Sequence, residues 1–87
     1  MTAAKAMTEC IRREEVRKVF CVPGESFLPV LDALYDDQFI DLISARHEGG
    51  AAFMAEAYAK ATGKPGVVFA TRGPGAANVS IGVHTAY

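Results

Sequence analysis

The chain has almost no net charge: nine basic residues stand against ten acidic ones, a formal balance of −1 over 87 residues. So even a balance supplies no field to attract DNA, RNA or an anionic membrane surface, and none of these is expected as a partner. Long apolar runs are missing too. No window approaches the ~20 apolar residues that cross a bilayer, and the opening stretch MTAAKAMTECIRREE carries charges where a secretory signal needs its apolar centre. A soluble, cytoplasmic protein without membrane contact is expected. Cysteine is scarce: Cys10 and Cys21 stand apart, with no C-x-x-C spacing or ligand pattern nearby. That argues against a disulfide or zinc site and predicts two buried free thiols. Repeats, linkers and low-complexity tracts are also lacking.

What is present is apolar residues, 51% of the chain, enough for one small domain over residues 1–87 that buries roughly two thirds of its unfolded surface. Ala3, Ala6, Met7, Cys10 and Ile11 recur at helical spacing, which predicts a helix over residues 2–13 with Arg12 and Arg13 at its end. Residues 19–22 form a short continuous apolar run stopped by Pro23 and Gly24, the pattern of a strand buried on both faces. Ser26 is placed to cap the next helix, whose buried side is expected to hold Leu28, Leu31, Ala33, Leu34 and Tyr35. A second buried run, 39–45, leads into RHEGG and an alanine-rich helix closed by Gly63 and Pro65. A third run, 67–70, ends at TRGPGAAN, and residues 76–87 follow as a last helix, weakened by Ser80 and Gly82. Helix and strand alternate from one end to the other, which predicts an α/β fold: a parallel sheet covered by helices on both faces. Three strands make a thin sheet. The last residues, IGVHTAY, stop inside a helical pattern, so the domain is expected to be truncated and the chain to be the beginning of a longer protein.

Ligands of open parallel sheets bind beyond the C-terminal strand ends. Three segments meet that condition, VPGES (22–26), ARHEGG (45–50) and ATRGPGAAN (70–78), and all should open on one rim. Taken alone, VPGES reads as a Pro-Gly turn with a serine cap. GPGAAN is similar to a phosphate-cradling loop but lacks a third glycine, a downstream acid and a P-loop lysine. Glu48 has two readings. One is a carboxylate stabilised by the helix dipole; the other is a partly desolvated group, its pKa raised, that shares a proton with a ligand nitrogen. Gly49 and Gly50 favour a close backbone approach at this point. His47 is expected to be a satisfied polar residue at a strand end, Arg46 an ion-pairing neighbour, and His84 structural or exposed.

The blocks VFCVPGESFLPVLDAL, RHEGGAAFMAEAYAKATGKPGVVFATRGPGAAN and IGVHTAY, in this order and spacing, resemble the N-terminal pyrimidine-binding domain of thiamine-diphosphate-dependent enzymes of the acetolactate synthase, pyruvate oxidase and benzoylformate decarboxylase superfamily. The resemblance implies a flavodoxin-like sandwich, here only its first part, in a 2-oxo acid decarboxylase or carboligase. It implies that Glu48 hydrogen-bonds N1′ of the cofactor's aminopyrimidine and so helps its 4′-amino group to take the proton from C2 of the thiazolium. Pro23 and Gly24 would lie against the pyrimidine and the substrate cavity, Thr71, Gly73, Pro74, Gly75 and Asn78 would form the wall beside the cofactor and the partner-subunit contact, and Glu25 and Arg72 would face substrate. Thiamine diphosphate is the implied cofactor. Its diphosphate and Mg²⁺ would be held by a domain outside this sequence, so no metal ligand is expected here, and no residue reports on FAD. The implied assembly is a homodimer or homotetramer acting on a small 2-oxo acid.

Two positions depart from the family pattern. Gly49 follows Glu48 where acetolactate synthases usually carry glutamine, and Arg72 replaces the serine of T-S-G-P-G. A cation at Arg72 fits either an interface ion pair or an anionic substrate or acyl-CoA. Two other classes stay open on the residues themselves: a non-catalytic module that pairs with a partner chain, and a Rossmann-like nucleotide binder using GPGAAN.

Overall fold

The computed structural model describes residues 2–24 and 27–86. Its elements are α1 (Ala3–Arg13), β1 (Lys18–Cys21), α2 (Leu28–Tyr35), β2 (Asp41–Ser44), α3 (Glu48–Thr62), β3 (Val67–Phe69) and α4 (Arg72–Ala86). This is the order expected from the hydrophobic pattern. Glu25 and Ser26, expected to face substrate and to cap α2, lie outside the described residues.

β1 is the centre because its three apolar residues are the most deeply buried run in the chain: Val19, Phe20 and Cys21 are all buried. It pairs in parallel with β2 on one side, Lys18 opposite Asp41 through Cys21 opposite Ser44, and with β3 on the other, Val19 opposite Val67 through Cys21 opposite Phe69. The sheet order is therefore β2-β1-β3. Alternation along β1 sends Val19 and Cys21 to one face, where they meet Ile11 of α1 and Phe27, Val30 and Leu34 around α2. Phe20 points to the other face and packs on Ala51 and Ala55 of α3. α4 lies against α3, so helices cover both faces.

Several local expectations change. In α1 the buried positions are Thr8 and Ile11, one turn apart, while Met7 and Cys10 are exposed. Thr8 tolerates burial because its hydroxyl donates to the Ala4 carbonyl at 2.9 Å. Cys10 is thus not the buried thiol expected; Cys21 is. In α2 the packed positions are Val30 and Leu34, with Phe27 just before the helix, while Leu28 and Tyr35 face outward. β2 is only half-buried, as an edge strand should be. α4 starts at Arg72, four residues earlier than expected, and takes Gly73, Pro74 and Gly75 into its first turn. Proline is tolerated there because the first-turn N–H groups lack helical acceptors. α3 ends as expected on Gly63, whose φ of 72° is in the left-handed region that glycine enters without steric cost.

Candidate functional site

The winding of the chain creates one crevice. From β1 the chain moves outward to β2 through α2 on one face, then recrosses β1 to reach β3 through α3 on the other. Connections diverge between β1 and β3, and in doubly wound sheets that switch point is where the strand ends leave a cleft. The three expected rim segments follow the C-terminal ends of the three parallel strands, so they do share one edge of the sheet. Beyond the strands the rim is tied by Ala45 N–H donating to the Cys21 carbonyl at 2.7 Å and Val22 N–H to Phe69 at 3.4 Å. On the α1/α2 face of the sheet the rings of Phe27 and Phe69 stand 5.5 Å apart.

Glu48 opens α3 at this rim. His47 before it is extended, with φ −141° and ψ 140°, and its Nδ1 accepts the Gly49 N–H at 2.9 Å. The polar role expected for His47 is thus a helix cap. Glu48 Oε1 accepts from the Asn78 side-chain amide at 3.0 Å. Oε2 lies beside Gly75, where an added Cβ would stand 3.4 Å from it. The Asn78 hydrogen bond, followed by the residue's own backbone N–H, pulls the Glu48 pKa below the ordinary glutamate value; partial desolvation opposes this and His47 adds a weaker downward pull. The raised pKa expected from burial at a strand end is therefore corrected to a lowered one.

The small residues explain why α3 and α4 come so close. Gly75, Asn78 and Gly82 recur at steps of three and four, hence on one face of α4. They meet Glu48, Gly49 and Ala52 of α3: a Cβ on Gly49 would be 3.4 Å from the Asn78 carbonyl, and one on Gly82 only 2.3 Å from the Ala52 Cβ. Gly49 therefore meets the close approach expected of it, from its own chain. Gly50 does not, since an added Cβ there has nothing within 4 Å.

The other expected positions divide. Gly24 and Thr71 are pressed together, an added Cβ on Gly24 falling 2.6 Å from Thr71 Cβ. Pro23 is exposed and lines an open groove of about 510 Å³ with Cys21, Leu28, Leu31, Tyr35 and Ser44, on the α1/α2 side. Gly73 and Pro74 are exposed in the first turn of α4. Arg72 enters that turn with φ 58° and is exposed, in a region that residues with a Cβ seldom occupy. Neither Arg72 nor Arg46 has an ion-pair partner among the described residues, so the ion pair expected of Arg46 is not formed there. His84 is exposed. Among the described residues no group of three or more His, Cys, Asp and Glu side chains is placed to hold a metal ion, and no helix is long and apolar enough to cross a membrane.

Sequence reasoning placed Asn78 along the cofactor and missed that it touches Glu48. The signal was the stripe Gly75, Asn78, Gly82, hidden because GPG reads as a loop until the helix is started at Arg72.

Comparison with known proteins identifies the family. Residues 1–87 match the family described as "Thiamine pyrophosphate enzyme, N-terminal TPP binding domain". The chain is 47% identical over 78 residues to the mitochondrial acetolactate synthase catalytic subunit of Aspergillus candidus, covering 90% of this chain and 11% of that protein. It is 47% identical over 83 residues to acetolactate synthase of Bacillus subtilis, covering 95% and 14%. For the acetolactate synthase isozyme 2 large subunit of Escherichia coli the figures are 46% over 83 residues, 95% and 15%. The chain thus spans about a seventh or less of the length of these relatives.

Proposed function

The chain belongs to the thiamine pyrophosphate enzymes, as part of the N-terminal TPP binding domain found in acetolactate synthase-like members, and from that premise we propose that it supplies the pyrimidine side of the active site of a 2-oxo acid decarboxylase or carboligase, with Glu48 as the catalytic carboxylate. The observation that carries this is the placement of an ionised carboxylate at the crevice rim, one oxygen bound to Asn78 and the other beside a bare glycine.

The residues fit the pyrimidine end of thiamine diphosphate. A carboxylate with one oxygen beside a bare glycine is the complement of a basic ring nitrogen that must be protonated or hydrogen-bonded. Gly75 leaves space beside that oxygen, and the Gly24–Thr71 contact closes the crevice on its β1/β3 side. Diphosphate and Mg²⁺ would be held outside these residues, in a further domain. When bound, the cofactor supplies an electron sink that lets a 2-oxo acid lose carbon dioxide before the remainder passes to an acceptor. Glu48's part is to hold or move one proton at Oε2. His47 fixes the first turn of α3, so that the carboxylate leaves the helix in one direction. In the whole enzyme we assign the exposed rim of α3 and α4 to a partner subunit, giving a homodimer or homotetramer.

The test is a chimera in which this chain replaces the matching segment of the Bacillus subtilis enzyme. Acetolactate formation is expected in the chimera, and Glu48→Gln should lower it by at least the ~10²–10⁴-fold typical of general acid–base catalysis. Near-normal turnover in Glu48→Gln would sink the assignment.

A further inference from the structure

The contact between Glu48 and Asn78 has a chemical direction. A carboxylate oxygen accepts, so the Asn78 amide must present its N–H₂ to Oε1. An oxygen receiving the Asn78 N–H is a poorer place for a proton, so this bond favours Oε2, on the Gly75 side, over Oε1. Asn78 is exposed, but its stretch of helix is fixed against α3. It sits on the face of α4 that carries Gly75 and Gly82, its backbone carbonyl lies against Gly49, and Gly82 below it presses on Ala52. The amide is carried on two side-chain torsions, so little rotamer freedom is lost in aiming it.

We propose that Asn78 is the positioning residue of this site: by engaging Oε1 it turns Glu48 so that Oε2, on the Gly75 side, is the oxygen that exchanges a proton with a ring nitrogen of the cofactor. This deepens the function proposed above and rests on it. Other groups around Glu48 cannot supply the same orientation. His47 is the charged or titratable neighbour that acts on it, and its Nδ1 is already turned to Gly49. Among the described residues, the α4 groups seen against the carboxylate, Gly75 and Asn78, are neutral. Arg46 and Arg72 are exposed and make no ion pair with it. On the β1 side, Gly24 faces Thr71, and Glu25 lies outside the described residues.

The direct test needs no cofactor. In the ¹³C,¹⁵N-labelled 87-residue chain, the side-chain carboxyl resonance of Glu48 is followed against pH in the unsubstituted protein, in Asn78→Ala and in Asn78→Asp. Removal of the amide should move the Glu48 titration upward, toward an ordinary glutamate. Asn78→Asp keeps the shape but replaces a donor with a like charge, and should move it further in the same direction. An unmoved titration in a variant whose amide spectrum is otherwise native overturns the proposal. Loss of the native spectrum in both variants overturns it as well, because Asn78 would then be a packing residue.

In the chimeric synthase Asn78→Ala should lower kcat about 10- to 100-fold, the range of one hydrogen bond to a charged group. KM should stay near its starting value, and the acidic limb of the kcat profile should shift upward in pH. The two levels fail separately. A titration that moves while Glu48→Gln keeps full turnover refutes the catalytic assignment and leaves the Asn78 contact standing. An inactive Glu48→Gln with an unmoved titration refutes the role of Asn78 alone.

Discussion

The same exchange, glycine to alanine, should have opposite signs at two positions of this fold. A Cβ on Gly82 would lie 2.3 Å from the Ala52 Cβ and 3.0 Å from the Ala52 carbonyl carbon. Carbon atoms in contact rest ~3.5–4.0 Å apart, so α3 and α4 would have to part by roughly 1 Å or shift along one another. Overpacking of this kind costs ~1–3 kcal/mol, against a gain of ~1 kcal/mol from replacing a mid-helix glycine. The expected net loss is up to about 2 kcal/mol, which lowers Tm by as much as roughly 16 °C in a domain of this size. At Gly50 the clash is absent: nothing lies within 4 Å of the added Cβ, and Gly50→Ala should stabilise by ~0.5–1 kcal/mol. Thermal and urea unfolding followed by circular dichroism compares the two. The double variant Ala52→Gly/Gly82→Ala moves the methyl from one helix to the other and should recover part of the loss, with a coupling energy of at least ~0.5 kcal/mol. Parting the helices also draws Asn78 away from Glu48, so Gly82→Ala should raise the Glu48 titration without touching either residue. A Gly82→Ala protein as stable as Gly50→Ala would refute the close packing, and with it the explanation of the stripe Gly75, Asn78, Gly82.

Two further outcomes follow from side chains away from the rim. Asp37 Oδ1 accepts the N–H groups of Phe39 at 2.7 Å and Ile40 at 3.0 Å, and Oδ2 pairs with Arg12. Burial works to raise its pKa, but the Ile40 and Phe39 N–H groups and then Arg12 outweigh it and hold the carboxyl below the ordinary aspartate value. A depressed folded pKa stabilises fully above the unfolded value, ~4, and that share is lost as the pH falls through the folded value. The urea midpoint should therefore drop on the acid side, and less steeply in Asp37→Asn; an identical acid slope would count against the network. In the native protein a thiol reagent should modify exposed Cys10 quickly and spare Cys21, which is buried and has its pKa raised by that burial, with only partial relief from Ser44. One fast thiol in the native state and two after denaturation is the expected count.

The hydrophobic pattern carried the architecture because each element has an unmistakable period: Val19, Phe20 and Cys21 have no polar interruption, and Ala51, Ala52 and Ala55 sit at helical steps. It carried the boundaries less well. The Gly-Pro-Gly of α4 has the local preferences of a turn, yet the helix begins before it, because Gly75 and Gly82 give the closeness to α3 that larger side chains forbid. In α1 the buried face is rotated from the apolar one. Thr8 goes inside with its hydroxyl on the Ala4 carbonyl while Met7 and Cys10 stay out, an exchange that composition cannot show, since it depends on which turn of the helix meets α2. The candidate site was legible as a motif around Glu48. Its internal wiring was not, because Asn78 is 30 residues away and touches Glu48 only once the α3–α4 contact is in place.

The sign of the Glu48 pKa shows why a strand-end carboxylate is not enough to predict one. Desolvation does push this group upward, as burial at the end of a strand suggests, but the Asn78 amide and the residue's own N–H push harder in the other direction. The balance is set by water. With the rim of α3 and α4 open, the charged form is hydrated as well as hydrogen-bonded, and Glu48 stays ionised. A surface laid over that rim would remove the hydration while leaving the Asn78 bond intact, so the desolvation push grows at fixed hydrogen bonding and the pKa rises. The contact with Asn78 thus works against desolvation, holding Glu48 below the ordinary glutamate value while the rim is open.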